Sequence, residues 1–351
     1  MKILTVLGAR PQFIKAAAFS REVIKLNNIE EVIVHTGQHY DQNMSDIFFE
    51  EMDIPKPKYM LQTGGKIHGA MTGQQLEKIE EILIYEKPDM VLVYGDTNST
   101  LAGALAAVKL HIPIAHVEAG LRSFNKKMPE EINRILTDQI SDYLFVPSMG
   151  AKKNLLKEGI SSDKIFVVGD IMYDVSLYYK EKMIKPSWFD SLNLNNFILC
   201  TIHRAENTDD AVRLTNIFKG LELSGKDIIL PLHPRTVNKI KEYNINIPEN
   251  IKIVDPVGYL EMVWLEVNCD LIITDSGGVQ KEAYFHEKYC VTLREETEWV
   301  ELVENGLNIL VGCNIEKMKL AFDVNKNIEF KNSIYGDGNT ACNIVNIISK
   351  I

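Results

Sequence analysis

The chain has 351 residues, 46% of them hydrophobic and 25% charged, which excludes a disordered, fibrous or collagen-like protein. A formal net charge of −10 argues against a general nucleic-acid or membrane-surface binder, which normally carries a basic face. The length exceeds what one ordinary core supports and predicts two domains.

Short apolar runs alternate with longer helical patterns from the start. Strands are expected at 2–7, 32–36, 89–94, 112–117, 143–146 and 165–168, with helices over 12–26, 71–86, 98–109, 130–140 and 149–157. The plan repeats with strands at 197–202, 227–231, 251–254, 270–274, 289–292 and 308–311. This alternation predicts βαβ units, and so an α/β protein with two Rossmann-like, doubly wound parallel sheets. The expected domains are 1–175 and 196–351, joined by a Lys-, Tyr-, Pro- and Asp-containing linker at 176–195 and facing across a cleft at their strand C-terminal ends. The last helix is a candidate to pack back on the first domain. The N-terminus opens directly in a strand, no signal peptide or membrane span is read, and the five cysteines (Cys200, Cys269, Cys290, Cys313, Cys342) form no CxxC pair. A reduced, cytoplasmic protein without a structural zinc is expected.

Chemistry-bearing residues fall at the predicted strand ends. Leu271–Thr274 runs into Asp275-Ser276-Gly277-Gly278 and then a helical pattern: a strand, a tight turn and a helix start, where free N–H groups and the dipole suit a phosphate or diphosphate. Glu282, about one turn further in, could accept from the vicinal hydroxyls of a ribose. A mere αβ connection is the plain alternative. The first βα turn, Gly8-Ala9-Arg10-Pro11, lacks the GxGxxG pattern, which removes the best support for a dinucleotide; Arg10 and Lys15 instead offer cations. Gln38 and His39 end the second strand as weak polar candidates.

Asp96 and Glu118 end two further strands, and Pro129-Glu130-Glu131-Ile132-Asn133-Arg134 starts a helix on which Glu130 and Arg134, four apart, share a face. Any one of these acids could be only a cap or a surface pair. Three together, Asp96, Glu118 and Glu130, suggest divided acid and base roles, because clustered carboxylates raise one another's pKa. The second half adds His203-Arg204, His233-Pro234-Arg235 and Arg294-Glu295-Glu296 after its strands.

Taken in order, GARPQFIK, GDTNSTLA, HVEAGLRS, PEEINR, TIHRAEN, HPR, TDSGGVQKE and LREETEW resemble the non-hydrolysing UDP-N-acetylglucosamine 2-epimerase family over residues 8 to about 300. The resemblance implies the two-domain GT-B architecture, a homodimer, a UDP-linked 2-acetamido sugar as substrate, and no metal or nicotinamide cofactor. It implies inversion at carbon 2 by elimination of UDP to a 2-acetamidoglycal and re-addition. Catalytic roles then fall on Asp96, Glu118, Glu130 and His203. Arg10, Lys15 and Arg134 would stabilise the departing UDP, and Ser276, Gly277, Gly278 and Glu282 would clamp the nucleotide, with His233 and Arg294 nearby. Where the family often places an aromatic against uracil, this chain has Tyr259-Leu260-Glu261-Met262, leaving Met262 as the candidate to pack on the base. Thr297-Glu298-Trp299 replaces the frequent Thr-Glu-Arg-Pro, a variant similar to the branch acting on UDP-2,3-diacetamido-uronic acids. Gln38 and Gln42 are the candidates near a second, activating site. Rival readings are a GT-B glycosyltransferase, a hydrolysing epimerase and a non-catalytic nucleotide-sugar binder.

Overall fold

The structure is a computed structural model that describes residues 1–38, 49, 54–323, 330 and 334–351. Two compact units emerge: Met1–Val175 together with Asn332–Ile351, and Ser176–Lys331. His39 and Gln42 lie outside the described residues.

The first unit contains β1 (Lys2–Leu7), α1 (Arg10–Ile24), β2 (Glu30–His35), β3 (Tyr59–Met60), α2 (His68–Glu86), β4 (Met90–Tyr94), α3 (Asn98–Lys109), β5 (Ile114–Val117), α4 (Pro129–Ile140), β6 (Tyr143–Val146), α5 (Met149–Lys157) and β7 (Ile165–Val167). Its strands form one parallel sheet in the order β3-β2-β1-β4-β5-β6-β7. Central strands covered by helices on both faces bury nearly all their side chains, which is why Val91, Leu92 and Val93 read as an unbroken apolar run and Ile3, Leu4, Val6 and Leu7 as one interrupted only by buried Thr5. Each such side chain contributes about 1.5–3 kcal/mol on burial. β3 has only two residues at the sheet edge and carries no run to betray it.

After α6 (Ile171–Lys180), the second unit contains β8 (Ile198–Thr201), α7 (Ala205–Thr208), α8 (Ala211–Glu222), β9 (Ile228–Pro231), α9 (Pro234–Glu242), β10 (Ile251–Val254), α10 (Tyr259–Asn268), β11 (Leu271–Thr274), α11 (Gly277–Phe285), β12 (Cys290–Thr292), α12 (Val300–Glu304), β13 (Asn308–Leu310) and α13 (Ile315–Asp323). Its parallel sheet runs β10-β9-β8-β11-β12-β13. The two doubly wound sheets match the expected fold class.

The segment 176–195 departs from the linker expectation. It holds the end of α6 and a short 3-10 turn, Phe189–Leu192, and Phe189 is buried in the second unit's core with Phe197, Leu199 and Leu265. The aromatic and apolar residues within its polar sequence dock it onto that unit. At the other end of the chain, α14 (Thr340–Ile348) belongs to the first unit and packs on α1, its start capped by the Asp174 carboxylate, which accepts from the N–H of Thr340 (3.0 Å) and Ala341 (2.8 Å). Among the described residues, no helix is long and apolar enough to cross a membrane.

Strand order reverses direction once in each sheet, between β1 and β4 and between β8 and β11. At such a switch point the connections leave to opposite faces and open a crevice at the strand C-terminal ends. The turns after β1 and β4 carry Arg10 and Asp96; those after β8 and β11 carry His203 and Ser276.

Candidate active site

In the first unit the turn after β1 is fixed from below by Gln12. Its side-chain oxygen accepts from the N–H of Gly8 (2.8 Å) and Ala9 (3.1 Å), and its amide donates to the Tyr94 carbonyl (2.7 Å). One buried side chain thus ties the β1 turn to the end of β4. The tie leaves Arg10 exposed at the start of α1 and points Lys15, a turn later, at Glu118, with which it forms an ion pair. Glu118 is buried and has φ +65°, a left-handed conformation that costs a side-chain-bearing residue about 1 kcal/mol or more. Strain of this kind persists only where the surroundings over-determine it.

Asp96 follows Gly95 at the end of β4 and pairs with Arg134 on α4 (Nη2 to Oδ2, 2.6 Å). Arg134 also binds Glu131 (2.8 Å), and Asn133 donates to the Asp96 carbonyl (2.9 Å). Arg134 thus pairs with Glu131, three residues before it, rather than with Glu130, the acid expected on its face. The reason is burial. Glu131 is enclosed, and its carboxylate receives the N–H of Ser123 (2.9 Å) and Phe124 (2.8 Å), while Glu130 is exposed. Burial alone would raise the Glu131 pKa, but those amides and Arg134 outweigh it and hold the carboxyl below its ordinary value. Asp96 and Glu118 therefore each have their own cation, Arg134 and Lys15.

In the second unit Asp275, wholly buried, organises the crevice after β8 and β11. It accepts from the N–H of His203 and Arg204 (3.1 Å for each nearer contact) and from Asn207 (3.0 Å), and lies 2.9 Å from His203 Nδ1. Burial opposes its charge, but the contacts to His203, Asn207 and Arg204 hold its pKa below the usual value. The His203 side chain remains largely exposed, its ring oriented by Asp275. Ser276 caps α11 by accepting from the Val279 N–H (3.4 Å).

The two glycines of this turn do different work. A Cβ on Gly277 would meet Glu298 Oε1 at 2.5 Å, whereas one on Gly278 would find nothing nearer than 3.8 Å. Gly277 makes room for the protein's own loop; Gly278 leaves space open at a helix N-terminus. The loop after β12 is fastened by Arg294 to Glu298 (3.0 Å), Thr297 to Gln280 (2.7 Å) and the Trp299 indole to the Gly277 carbonyl (2.8 Å). Glu282, partly exposed, is pushed up to about 7, chiefly by desolvation, with Lys281 opposing.

Two of the predicted binding residues also make structural contacts. His233 is an exposed N-cap of α9, its ring accepting from the Arg235 N–H (3.3 Å). Met262 packs, partly buried, against the core cluster containing Phe189 and Leu265. Gln38 accepts from the N–H and hydroxyl of Ser99 at 3.0 and 2.8 Å. Sequence alone does not single out Gln12, Asp275 or Gln280. Gln12 had a usable signal: a glutamine three residues after a turn, where a side chain reaches back to free amides.

A family model described as UDP-N-acetylglucosamine 2-epimerase matches residues 21–349. The chain belongs to the UDP-N-acetylglucosamine 2-epimerase family. It is 52% identical to the UDP-2,3-diacetamido-2,3-dideoxy-D-glucuronate 2-epimerase of Pseudomonas aeruginosa, over 100% of both chains. It is 49% identical to the UDP-N-acetylglucosamine 2-epimerase of Methanocaldococcus jannaschii, over 99% of each. The crystal structure of a Methanocaldococcus jannaschii UDP-GlcNAc 2-epimerase in complex with UDP-GlcNAc and UDP superposes with a TM-score of 0.87 over 100% of both chains, at 49% identity. As a member of this epimerase family the chain is an isomerase, a UDP-sugar 2-epimerase.

Proposed function

We propose that this epimerase interconverts UDP-N-acetylglucosamine and UDP-N-acetylmannosamine, in the cytoplasm and as a homodimer. The observation that carries the chemistry is the pair of strand-end acids, Asp96 and Glu118, each held by its own cation. In this reading the first unit supplies proton transfer at carbon 2, with exposed Glu130 as the third acid, and Arg10 adds positive charge for the departing diphosphate. The second unit supplies the nucleotide contacts: the amides at Gly277 and Gly278 take the diphosphate, and Glu282 takes the ribose hydroxyls. His203, steered by Asp275, donates a hydrogen bond to the same diphosphate. One carboxylate removes the carbon-2 proton as the carbon-1 to oxygen bond breaks, giving a 2-acetamidoglycal and UDP. Return of UDP to carbon 1 with a proton delivered to the other face of carbon 2 completes the inversion. If UDP escaped before re-addition, water could add to the 2-acetamidoglycal in its place and release free sugar, so a firm nucleotide clamp favours isomerisation.

A second reading takes a UDP-2,3-diacetamido-uronic acid as substrate. It is favoured by the Leu293–Trp299 block and by the identity to the Pseudomonas aeruginosa enzyme. Proton NMR in heavy water with both UDP-sugars decides: exchange of the carbon-2 hydrogen and appearance of the epimer are expected. No exchange with either sugar, or release of free sugar and UDP only, overturns the proposal.

A further inference from the structure

His116 and Asp138 form a buried pair that the reaction outlined above does not use. Both side chains are fully enclosed in the first unit. His116 Nδ1 lies 2.7 Å from Asp138 Oδ1, and Nε2 lies 2.8 Å from the carbonyl oxygen of Gly95. A carbonyl only accepts, so Nε2 donates there. The other oxygen of the Asp138 carboxylate takes the Gly120 N–H (3.1 Å) and lies 2.7 Å from Arg122 Nη1.

The partners of this pair are placed tellingly. Gly95 immediately precedes Asp96. His116 and Gly120 stand two residues on either side of Glu118. Three of these positions are left-handed: Gly95 (φ +60°), Glu118 (+65°) and Gly120 (+78°). The preceding carbonyl, Tyr94, is held by Gln12 at 2.7 Å, so successive carbonyls before Asp96 are pinned by two buried side chains. One imidazole thus joins the turn carrying one acid to the strand carrying the other. Arg122, bidentate to Glu158 (2.8 and 2.6 Å), braces Asp138 from behind.

We infer that His116, anchored by Asp138, is a positioning residue that fixes the separation of the Asp96 and Glu118 carboxylates. The inference rests on the epimerase reading, in which those two acids act at carbon 2. A packed histidine with no such role would affect stability alone.

The test compares H116N, which keeps an amide near Asp138 but falls short of Gly95, with H116Q, which extends a donor to the Gly95 carbonyl. Carbon-2 hydrogen exchange, substrate KM, UDP affinity by calorimetry and thermal melting are measured for each. H116N should lose about 10²-fold in kcat, the usual scale for misplacing a catalytic group by ~1 Å, with KM and UDP affinity within about threefold of wild type. H116Q should recover about tenfold of that loss. A folded H116N with wild-type kcat overturns the inference, as does an equal fall of KM-derived affinity and kcat in both variants. Should H116N not fold, H116Q decides alone: its kcat should fall about tenfold at unchanged KM, and an unchanged kcat overturns the inference. Wild-type protein that exchanges no carbon-2 hydrogen defeats the epimerase reading itself, a result separable from any effect of His116.

Discussion

The Arg134 guanidinium reaches the Asp96 carboxylate at 2.6 Å and, with its other nitrogen, the buried Glu131 carboxylate at 2.8 Å. One cation thereby sets both a candidate proton-transfer group and the loop at Ser123–Phe124 that Glu131 fastens. Asp96→Asn keeps the shape and removes the charge. Exchange of the carbon-2 hydrogen should fall by ~10²–10⁴-fold, the usual contribution of acid–base catalysis, with UDP affinity within about threefold of wild type. Normal turnover in D96N would remove Asp96 from the chemistry.

Gly95 is the second place to probe. Its φ of +60° suits glycine, and a Cβ there would lie 3.4 Å from Glu118 Oε2. Gly95→Ala should cost about 1–2 kcal/mol of stability from the left-handed backbone and lower kcat by shifting both acids. Melting and exchange kinetics read the two effects separately. Wild-type values in both would show that this turn tolerates a side chain.

Gly277 and Gly278 should respond differently. G277A displaces the flexible end of Glu298 and disturbs its pair with Arg294, so melting should drop by only a few degrees. G278A finds open space in the folded protein and should melt like wild type, yet its methyl occupies the position proposed for diphosphate. A loss of UDP affinity of about tenfold or more is expected by calorimetry. Unchanged affinity in G278A would place the diphosphate elsewhere.

Glu266 gives the stability a pH dependence. It is buried on α10 with neither carboxyl oxygen hydrogen-bonded among the described residues, and desolvation with the nearby charge of Glu282 pushes its pKa well above 4.5. His286 Nε2 lies 3.6 Å away, but burial, with Lys180 and Lys288, holds that imidazole down at about 4, so it is neutral near pH 7. Above the unfolded value of about 4.5 the native state keeps a proton that the unfolded chain releases, so stability falls as pH rises. Glu266→Gln removes the titration. It should melt a few degrees higher than wild type at pH 8, with the gap closing towards pH 4.5. Parallel melting curves across this range would contradict the assignment.

Much of the fold was legible because strands covered on both faces carry unbroken apolar runs, as in Met90–Tyr94 and Leu271–Thr274. Asp96 and Glu118 were legible as acids directly after such runs. Their settings were not. The choice of Arg134 between Glu130 and Glu131 depends on which carboxylate the 123–124 amides enclose, and helical spacing allows either. The left-handed backbone of Glu118 and the contact of His116 with Asp138, 22 residues apart, arise only once neighbouring elements pack. Residues 176–195 misled for a related reason: Trp188 and Phe189 supply their apolar anchors within a polar stretch.

The final helix has a practical consequence for anyone dissecting this chain. Ile344, Val345 and Ile348 of α14 are buried in the first unit, and the carboxylate that caps the helix sits at Asp174, 166 positions before its first residue. Translation must therefore reach the last turn before that unit acquires its full set of helices. A fragment ending at residue 175 would expose the surface of α1 meant for α14 and leave Asp174 without its amides. Separating the units cleanly calls for splicing the end of the chain onto position 175 through a short bridge.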